Sequence, residues 1–149
     1  MAKDKSGKRA AASVGHLLHR AAQRALDLYA GQAGPGAVTQ RQHAVLAAVA
    51  EKEGAAQADL VAATGIDRST LADMVARMIA KGHLERQRSE QDARANSVRL
   101  TDAGRTILEE SLPRVAAADL RILSLLKASK RDGFLDVLGE MASVDVHAP

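Results

Sequence analysis

The sequence of 149 residues contains no cysteine, which excludes a disulfide framework, a cysteine-ligated metal site and a thiol redox switch. Aromatic side chains are nearly absent too, because Tyr29 and Phe134 are the only two in the chain. A core without large rings has to be filled by Ala, Leu, Val, Ile and Met. Such side chains favour close packing of helices over a sandwich of two sheets.

Long apolar runs are also missing from the sequence. No segment approaches the about 18–20 consecutive apolar residues that a membrane-spanning helix requires. The N-terminal segment is polar and basic, and it lacks the apolar stretch of about 7–15 residues found in a signal peptide. We therefore expect a cytoplasmic protein with no membrane partner. Hydrophobic residues still make up 46% of the chain, enough to build one globular domain with extensions.

The sequence also lacks motifs of catalysis and of cofactor binding. The sequence contains no Gly-rich phosphate-binding loop, no nucleophile motif and no compelling pair of carboxylates. We therefore expect no enzymatic activity and no cofactor.

Basic side chains are concentrated in two segments, although the net charge is only +3. They outnumber acidic ones in residues 1–24 and again in residues 77–99. This placement favours an anionic partner. Ordinary solvated surface charge is the alternative. Residues 1–12 are expected to form a flexible basic tail.

The first half of the chain has the apolar spacing of helices. An apolar stripe from Val14 to Tyr29 predicts a first helix, which the Gly- and Pro-rich residues 31–38 end. Thr39 then has the character of an N-cap, with Gln42 placed three residues on as a capping-box partner. The second helix is expected to end at Gly54.

Two short helices joined by a tight turn follow, over residues 55–64 and 66–82, with Gly65 in the turn and Asp67 as the second N-cap. The hydrophobic period then changes from 3.6 to 2 on both sides of a polar segment. This change predicts two short strands joined by a long loop, one around Leu84 and one around Val98. The arrangement is that of a helix-turn-helix with a β-wing.

The C-terminal third returns to a helical pattern. Thr101 is expected to cap a long helix, in which Pro113 introduces a kink or a split. A last helix is expected after residues 127–133. We therefore predict a mainly α fold with a small β-wing, consisting of a winged helix-turn-helix domain with additional helices at both ends.

Three segments carry a resemblance to a known family. They read "TQRQHAVLAAVAE", "DRSTLADMVARMIAKGHLER" and "DARANSVRLTDAG", and they occur in order between residues 39 and 104. In this order and spacing the chain resembles the MarR family of winged helix-turn-helix transcription regulators. One departure is Ala93, which stands where the family usually has the first of two wing arginines. A second is Asp73, at a helix position that is often basic or polar in the family.

The resemblance implies a ligand-responsive repressor that binds a pseudo-palindrome in double-stranded DNA as a homodimer. It assigns DNA binding to residues 39–104 and implies that residues 13–33 and 105–146 form a helical dimerisation region. Those end segments also hold more apolar residues than a lone winged domain could cover, unless they fold back on their own core. An interaction module without DNA binding is the alternative function, because residues 39–103 carry equal numbers of acidic and basic side chains.

The second helix of the pair offers the candidate DNA contacts, since it can enter the major groove. Its exposed face, together with the wing tip, supplies Arg68, Ser69, Thr70, Asp73, Arg77 and Arg94. Structural alternatives exist for some of them. Ser69 and Thr70 could satisfy first-turn amides, Arg77 could pair with Glu85, and Arg94 could form an ion pair within the wing.

The wing loop is expected to keep its shape through Asp92, which can accept hydrogen bonds or pair with an arginine. Arg86 and Arg88 are the candidate partners.

The resemblance also implies a pocket for a small aromatic or phenolic acid where the dimer helices meet the DNA-binding lobe. The polar candidates are His16, His19, Arg20, Tyr29 and His43. His16 and His19 share a helix face at a spacing that suits a metal, but no acidic cluster accompanies them, so we expect no metal site. Ordinary surface histidines, ligand binding and pH sensing remain alternatives for these two.

Overall fold

The computed structural model describes residues 13–88 and 96–145. Six helices, one 3-10 turn and three short strands make up these ranges, and they follow one another as α1 (Val14–Gln32), α2 (Gln40–Glu51), β1 (Ala55–Ala56), α3 (Gln57–Thr64), α4 (Arg68–Ala80), β2 (Leu84–Arg88), β3 (Asn96–Leu100), α5 (Asp102–Ser124), the 3-10 turn (Ala128–Lys130) and α6 (Arg131–Ser143). The predicted class, mainly α with a small β-wing, is confirmed.

The predicted helix starts are formed by side-chain caps. The Gln42 amide donates to Thr39 Oγ1 at 3.2 Å, and the Thr39 amide donates to Gln42 Oε1 at 2.9 Å, which completes the capping box of α2. Asp67 Oδ1 accepts from the Thr70 amide at 2.9 Å and so caps α4. Gly65 ends α3 with a φ of 66°, the left-handed conformation that glycine adopts without strain.

The wing is a three-stranded antiparallel sheet in the order β1–β3–β2. Leu84 lies opposite Leu100 in the β2–β3 pair, and Ala55 lies opposite Val98 on the other side of β3. The prediction of helix over residues 55–64 was therefore wrong at its start. Ala55 and Ala56 belong to the sheet, and α3 begins at Gln57.

The hydrophobic core lies between helices α2, α3 and α4 and the sheet. Its fully buried large side chains are Val45, Leu46, Val49, Leu60, Leu71, Met78 and Leu84. Full burial of each such side chain stabilises the fold by about 1.5–3 kcal/mol relative to exposure. This core holds α3, α4 and the wing together as one lobe.

Helix α5 runs through Pro113 without a break, so the split that the sequence allowed does not occur. It packs against α1 and α2. The last helix starts earlier than predicted, at Arg131, within the segment expected to precede it. Within the two described ranges, no helix is both long enough and apolar enough to cross a membrane.

Candidate nucleic-acid interface

Helix α4 buries one face and presents the other to solvent. Leu71, Val75 and Met78 are buried against the lobe. The predicted DNA-contact residues on the opposite face that are exposed are Arg68, Ser69, Asp73 and Arg77. All four side chains are therefore accessible: Ser69, Asp73 and Arg77 share one side of the helix, and Arg68 lies in the first turn, about 100° from Ser69 around the axis. An exposed face of this kind is what insertion into a groove requires.

Thr70, the fifth predicted contact on α4, has a structural role in the free protein. It is half-buried. Its hydroxyl and its amide both bond to the Asp67 carboxylate, and these bonds lower the pKa of Asp67. Thr70 thus supports the cap through the Asp67 carboxylate and not by bonding to a first-turn amide.

Arg77 does not take the ion-pair partner considered for it. Glu85 pairs instead with Arg99, its cross-strand neighbour, with 2.5 Å between Arg99 Nε and Glu85 Oε1. Arg77 is exposed in the last turn of α4. Because Glu85 is paired with Arg99, the Arg77 side chain makes no ion pair with Glu85 and stays accessible to DNA.

The wing strands carry Arg86 and Arg88 on β2, both of them exposed. Their register with β3 places Arg86 opposite Val98, and the Ser97 hydroxyl donates to the Gln87 carbonyl at 2.6 Å. The loop tip with Arg94 and its expected support Asp92 lies outside the described residues.

The base of the wing is joined tightly to the end of α4. Thr101 Oγ1 donates to the Gly82 carbonyl at 2.5 Å and accepts from the Gly104 amide at 3.0 Å. The Thr101 amide in turn donates to the His83 carbonyl at 3.2 Å. A Cβ at Gly104 would lie well inside van der Waals distance of the His83 carbonyl oxygen and 3.0 Å from its carbonyl carbon. The "TDAG" segment is therefore a joint that only glycine fits. The sequence showed Gly104 as the last residue of the segment "DARANSVRLTDAG", without the contact that requires glycine there.

Two of the predicted ligand residues make hydrogen bonds at the junction of α1, α2 and α5. The Tyr29 hydroxyl donates to the Val38 carbonyl at 3.0 Å, and burial raises the pKa of Tyr29, with Arg114 opposing this shift. His43 Nδ1 lies 2.7 Å from Ser111 Oγ. These contacts join α1 and α5 to the start of the DNA-binding lobe.

Ser111 Oγ lies within hydrogen-bond distance of two groups. It is 2.7 Å from the Leu108 carbonyl oxygen and 2.7 Å from His43 Nδ1. When the single hydroxyl proton is donated to Leu108, Ser111 accepts from His43 in the tautomer that carries its proton on Nδ1. Burial lowers the pKa of His43, while the carboxylate of Asp119 raises it to a smaller extent.

The other predicted ligand residues lie apart from these two. His16, His19 and Arg20 are exposed near the start of α1. Tyr29 lies near its end, so that His16 and Tyr29 are separated by about 20 Å along the helix axis. A single chain therefore does not bring the predicted ligand residues together.

An open cleft of about 490 Å³ lies between α1, α2 and the turn that joins α3 to α4. We call it the α1–α2 cleft. Leu26 and Ile66 form part of its apolar surface, Arg41 is its cation, and Asp67 lies at its edge beside the start of α4. None of the predicted ligand residues lines it. The sequence pattern contained no signal that would have separated Arg41 from other surface arginines.

Residues 38–95 match the model of the MarR family. A curated relative is the HTH-type transcriptional repressor NicR of Pseudomonas putida, 30% identical over 91% of this chain and 85% of that protein.

Two solved structures have the same fold over most of their length. One is Bordetella bronchiseptica BpsR, whose DNA binding is regulated by 6-hydroxynicotinic acid. It superposes on this chain with a TM-score of 0.82 at 29% identity, and the match covers 89% of this chain and 95% of BpsR. The Streptomyces coelicolor regulator PcaV in complex with its natural ligand gives a TM-score of 0.81 and 30% identity, covering 97% of this chain and 99% of that one.

Proposed function

This chain belongs to the MarR family of transcription regulators, and from that premise we propose how it binds DNA and how a ligand controls it. It is a DNA-binding regulator of transcription. We propose that it acts as a repressor in the cytoplasm, that it binds a pseudo-palindromic site as a homodimer, and that a small aromatic acid weakens this binding.

The observation that carries the proposed DNA interface is the exposed face of α4. Arg68 and Ser69 lie exposed in its first turn, and Arg77 lies exposed in its last turn on the same side as Ser69. A helix in the major groove reads base edges with its N-terminal residues and contacts phosphates with flanking cations. We assign base or phosphate contacts to these three residues.

Other interface residues have distinct proposed roles. The Asp73 carboxylate can accept from a cytosine amino group, or repel phosphate and so restrict the sites that are bound. Thr70 contributes through Asp67, which its hydroxyl holds in the capping position. Arg94 contacts DNA from the wing tip, while Arg86 and Arg88 support the wing with Asp92.

The proposed dimer is supported by apolar side chains that the chain leaves uncovered. Val14 is 73% exposed and Leu120 69% exposed. Further large apolar side chains exposed on or beside α1, α5 and α6 are Leu17, Leu18, Leu112, Leu125, Leu135, Val137, Leu138, Met141 and Val144. Burial of such surface between two copies is favourable, which supports the proposal that residues 13–33 and 105–146 form the dimerisation region.

The proposed ligand response rests on the relatives and on the position of the α1–α2 cleft. BpsR is regulated by 6-hydroxynicotinic acid, an aromatic acid. In this chain Arg41 could pair with a carboxylate while Leu26 and Ile66 contact a ring, directly beside the N-cap of the DNA-reading helix. The contribution of His16, His19, Arg20, Tyr29 and His43 to ligand binding stays a prediction.

The DNA-binding assignment is tested by selecting bound genomic fragments and measuring affinity for the best one by fluorescence anisotropy. We expect affinity to fall steeply with salt concentration. Arg77→Ala should weaken binding to the selected site by about tenfold or more, and Arg94→Ala should weaken all duplexes and reduce the salt slope by about 1.

Lys127→Ala is the control for loss of a surface cation outside α4 and the wing, because Lys127 lies in the exposed turn between α5 and α6. Size-exclusion chromatography of all three variants checks that they have the same oligomeric state as the wild-type protein. Equal effects of all three substitutions would contradict the assignment of the interface. Failure of the wild-type protein to select any duplex would favour the alternative of an interaction module.

A further inference from the structure

A side-chain hydrogen bond connects the first turns of the two helices of the helix-turn-helix. Gln57 is the first residue of α3, and Arg68 is the first residue of α4. Gln57 Nε2 donates to the Arg68 carbonyl oxygen at 3.0 Å. The bond therefore spans the motif at the end where α4 carries its candidate DNA contacts.

The remaining packing between α3 and α4 is largely apolar. Leu60 of α3 and Leu71 of α4 are both fully buried in the same core. Apolar contacts are non-directional, and packing of helices fixes their crossing angle only to within about 15–20°. A hydrogen bond of fixed length restricts α4 to one orientation within that range.

Gln57 also lies where the wing meets the two helices. It lines a small cavity of about 60 Å³ together with Ala72 and Val75 of α4 and Arg86 of β2. A shift of the Gln57 side chain would therefore change the packing at α4 and beside β2.

We infer that Gln57 is a positioning residue for sequence recognition, which holds the first turn of α4 in the orientation that presents Arg68 and Ser69 to the bases. This inference rests on the proposed function, in which α4 reads DNA. Gln57 acts through the Arg68 carbonyl and has no contact with DNA of its own in this scheme. Its loss should reduce discrimination between sequences more than general affinity for DNA.

Gln57→Met and Gln57→Glu test this role, because both keep the side-chain length and both remove the donor. Glutamate at the first position of α3 also interacts favourably with the helix dipole, so Gln57→Glu should not lower global stability. Glu51→Met, at the exposed end of α2 and outside the segments assigned to dimerisation, is the control for an exposed methionine.

The first measurement is hydrogen exchange of the Leu71 and Ala72 amides in the free full-length protein. The Leu71 amide donates to the Asp67 carbonyl at 2.9 Å, and the Ala72 amide is four residues after Arg68, whose carbonyl is its helical partner. Both should exchange about three- to tenfold faster in the two Gln57 variants, as expected when one hydrogen bond is lost.

The second measurement compares affinity for the best genomic fragment with affinity for an unrelated duplex of equal length. We expect binding to the best fragment to weaken about three- to tenfold and binding of the unrelated duplex to the Gln57→Met variant to change less than about twofold. Equal loss on both duplexes with unchanged exchange would mean that Gln57 contacts phosphate directly, and this overturns the inference.

Faster exchange with an unchanged affinity ratio would also overturn the inference, since the bond would then be structural only. Unchanged exchange and an unchanged ratio would contradict it completely. If the wild-type protein binds no duplex, the proposed function fails and the positioning role fails with it. The exchange rates would still show whether the bond orders α4, so the two failures are distinguishable.

Discussion

Gly104→Ala is expected to destabilise this protein, although alanine is the better helix former. The new Cβ would meet the His83 carbonyl oxygen and lie 3.0 Å from the carbonyl carbon. Both are backbone atoms, so no rotation of a side chain relieves the contact. The start of α5 and the end of α4 would have to move apart.

The expected loss follows from three contributions. Forcing extra volume into a packed site costs about 1–3 kcal/mol. The separation also breaks the Thr101 amide bond to the His83 carbonyl, 3.2 Å long, which contributes about 1 kcal/mol. Replacing a helical glycine with alanine stabilises the helix by up to about 1 kcal/mol, which offsets part of this loss. The free energy of unfolding should therefore fall by about 2 kcal/mol, which lowers the Tm by about 4–8 °C.

Gly133→Ala is the control, because Gly133 holds the same third position in α6 that Gly104 holds in α5. A Cβ at Gly133 meets nothing within 4 Å in the chain. It should be neutral or slightly stabilising. Both variants are compared by urea unfolding and calorimetry at one protein concentration, since dimerisation couples to stability. If Gly104→Ala were as stable as Gly133→Ala, the joint at the wing base would not be tight and our reasoning would be wrong.

Two further predictions concern the junction of α1, α2 and α5. Tyr29→Phe leaves the Val38 carbonyl without its hydroxyl donor and should lower the free energy of unfolding by about 1 kcal/mol in urea titrations, whereas an unchanged midpoint would show that water replaces the donor. Burial lowers the pKa of His43 below its ordinary value of 6.5, so the unfolded chain binds a proton there at a higher pH than the folded chain does. The free energy of unfolding should therefore fall as the pH drops below about 6.5. Between pH 7.5 and 5.5 it should fall less for the His43→Gln variant than for the wild-type protein. Parallel pH curves for the two proteins would refute this.

Much of the fold and part of the site could be predicted from local patterns. The caps at Thr39 and Asp67 were predicted correctly because a capping side chain bonds to amides only three residues away. The change from period 3.6 to 2 around Leu84 and Val98 indicated the wing strands for the same local reason. The exposed face of α4 followed from its apolar stripe.

Errors arose where contacts between distant segments decide the outcome. Ala55 and Ala56 have helical propensity, yet pairing with β3 makes them a strand, since tertiary hydrogen bonds override a weak local preference. Pro113 stays within α5 because packing of α5 against α1 and α2 supports a continuous helix. The choice of Glu85 as the partner of Arg99 depends on cross-strand register.

The sequence by itself determined most of the helices, the wing strands and the winged helix-turn-helix order, because these depend on spacings of a few residues, and its motifs showed the resemblance to the family. Only the tertiary structure decided that Gly104 abuts His83, that Gln57 reaches Arg68, and that Arg41 lines a cleft beside Asp67. Each of these contacts joins residues from different elements. Their distances are set by packing of the core, and no local pattern in the sequence encodes them.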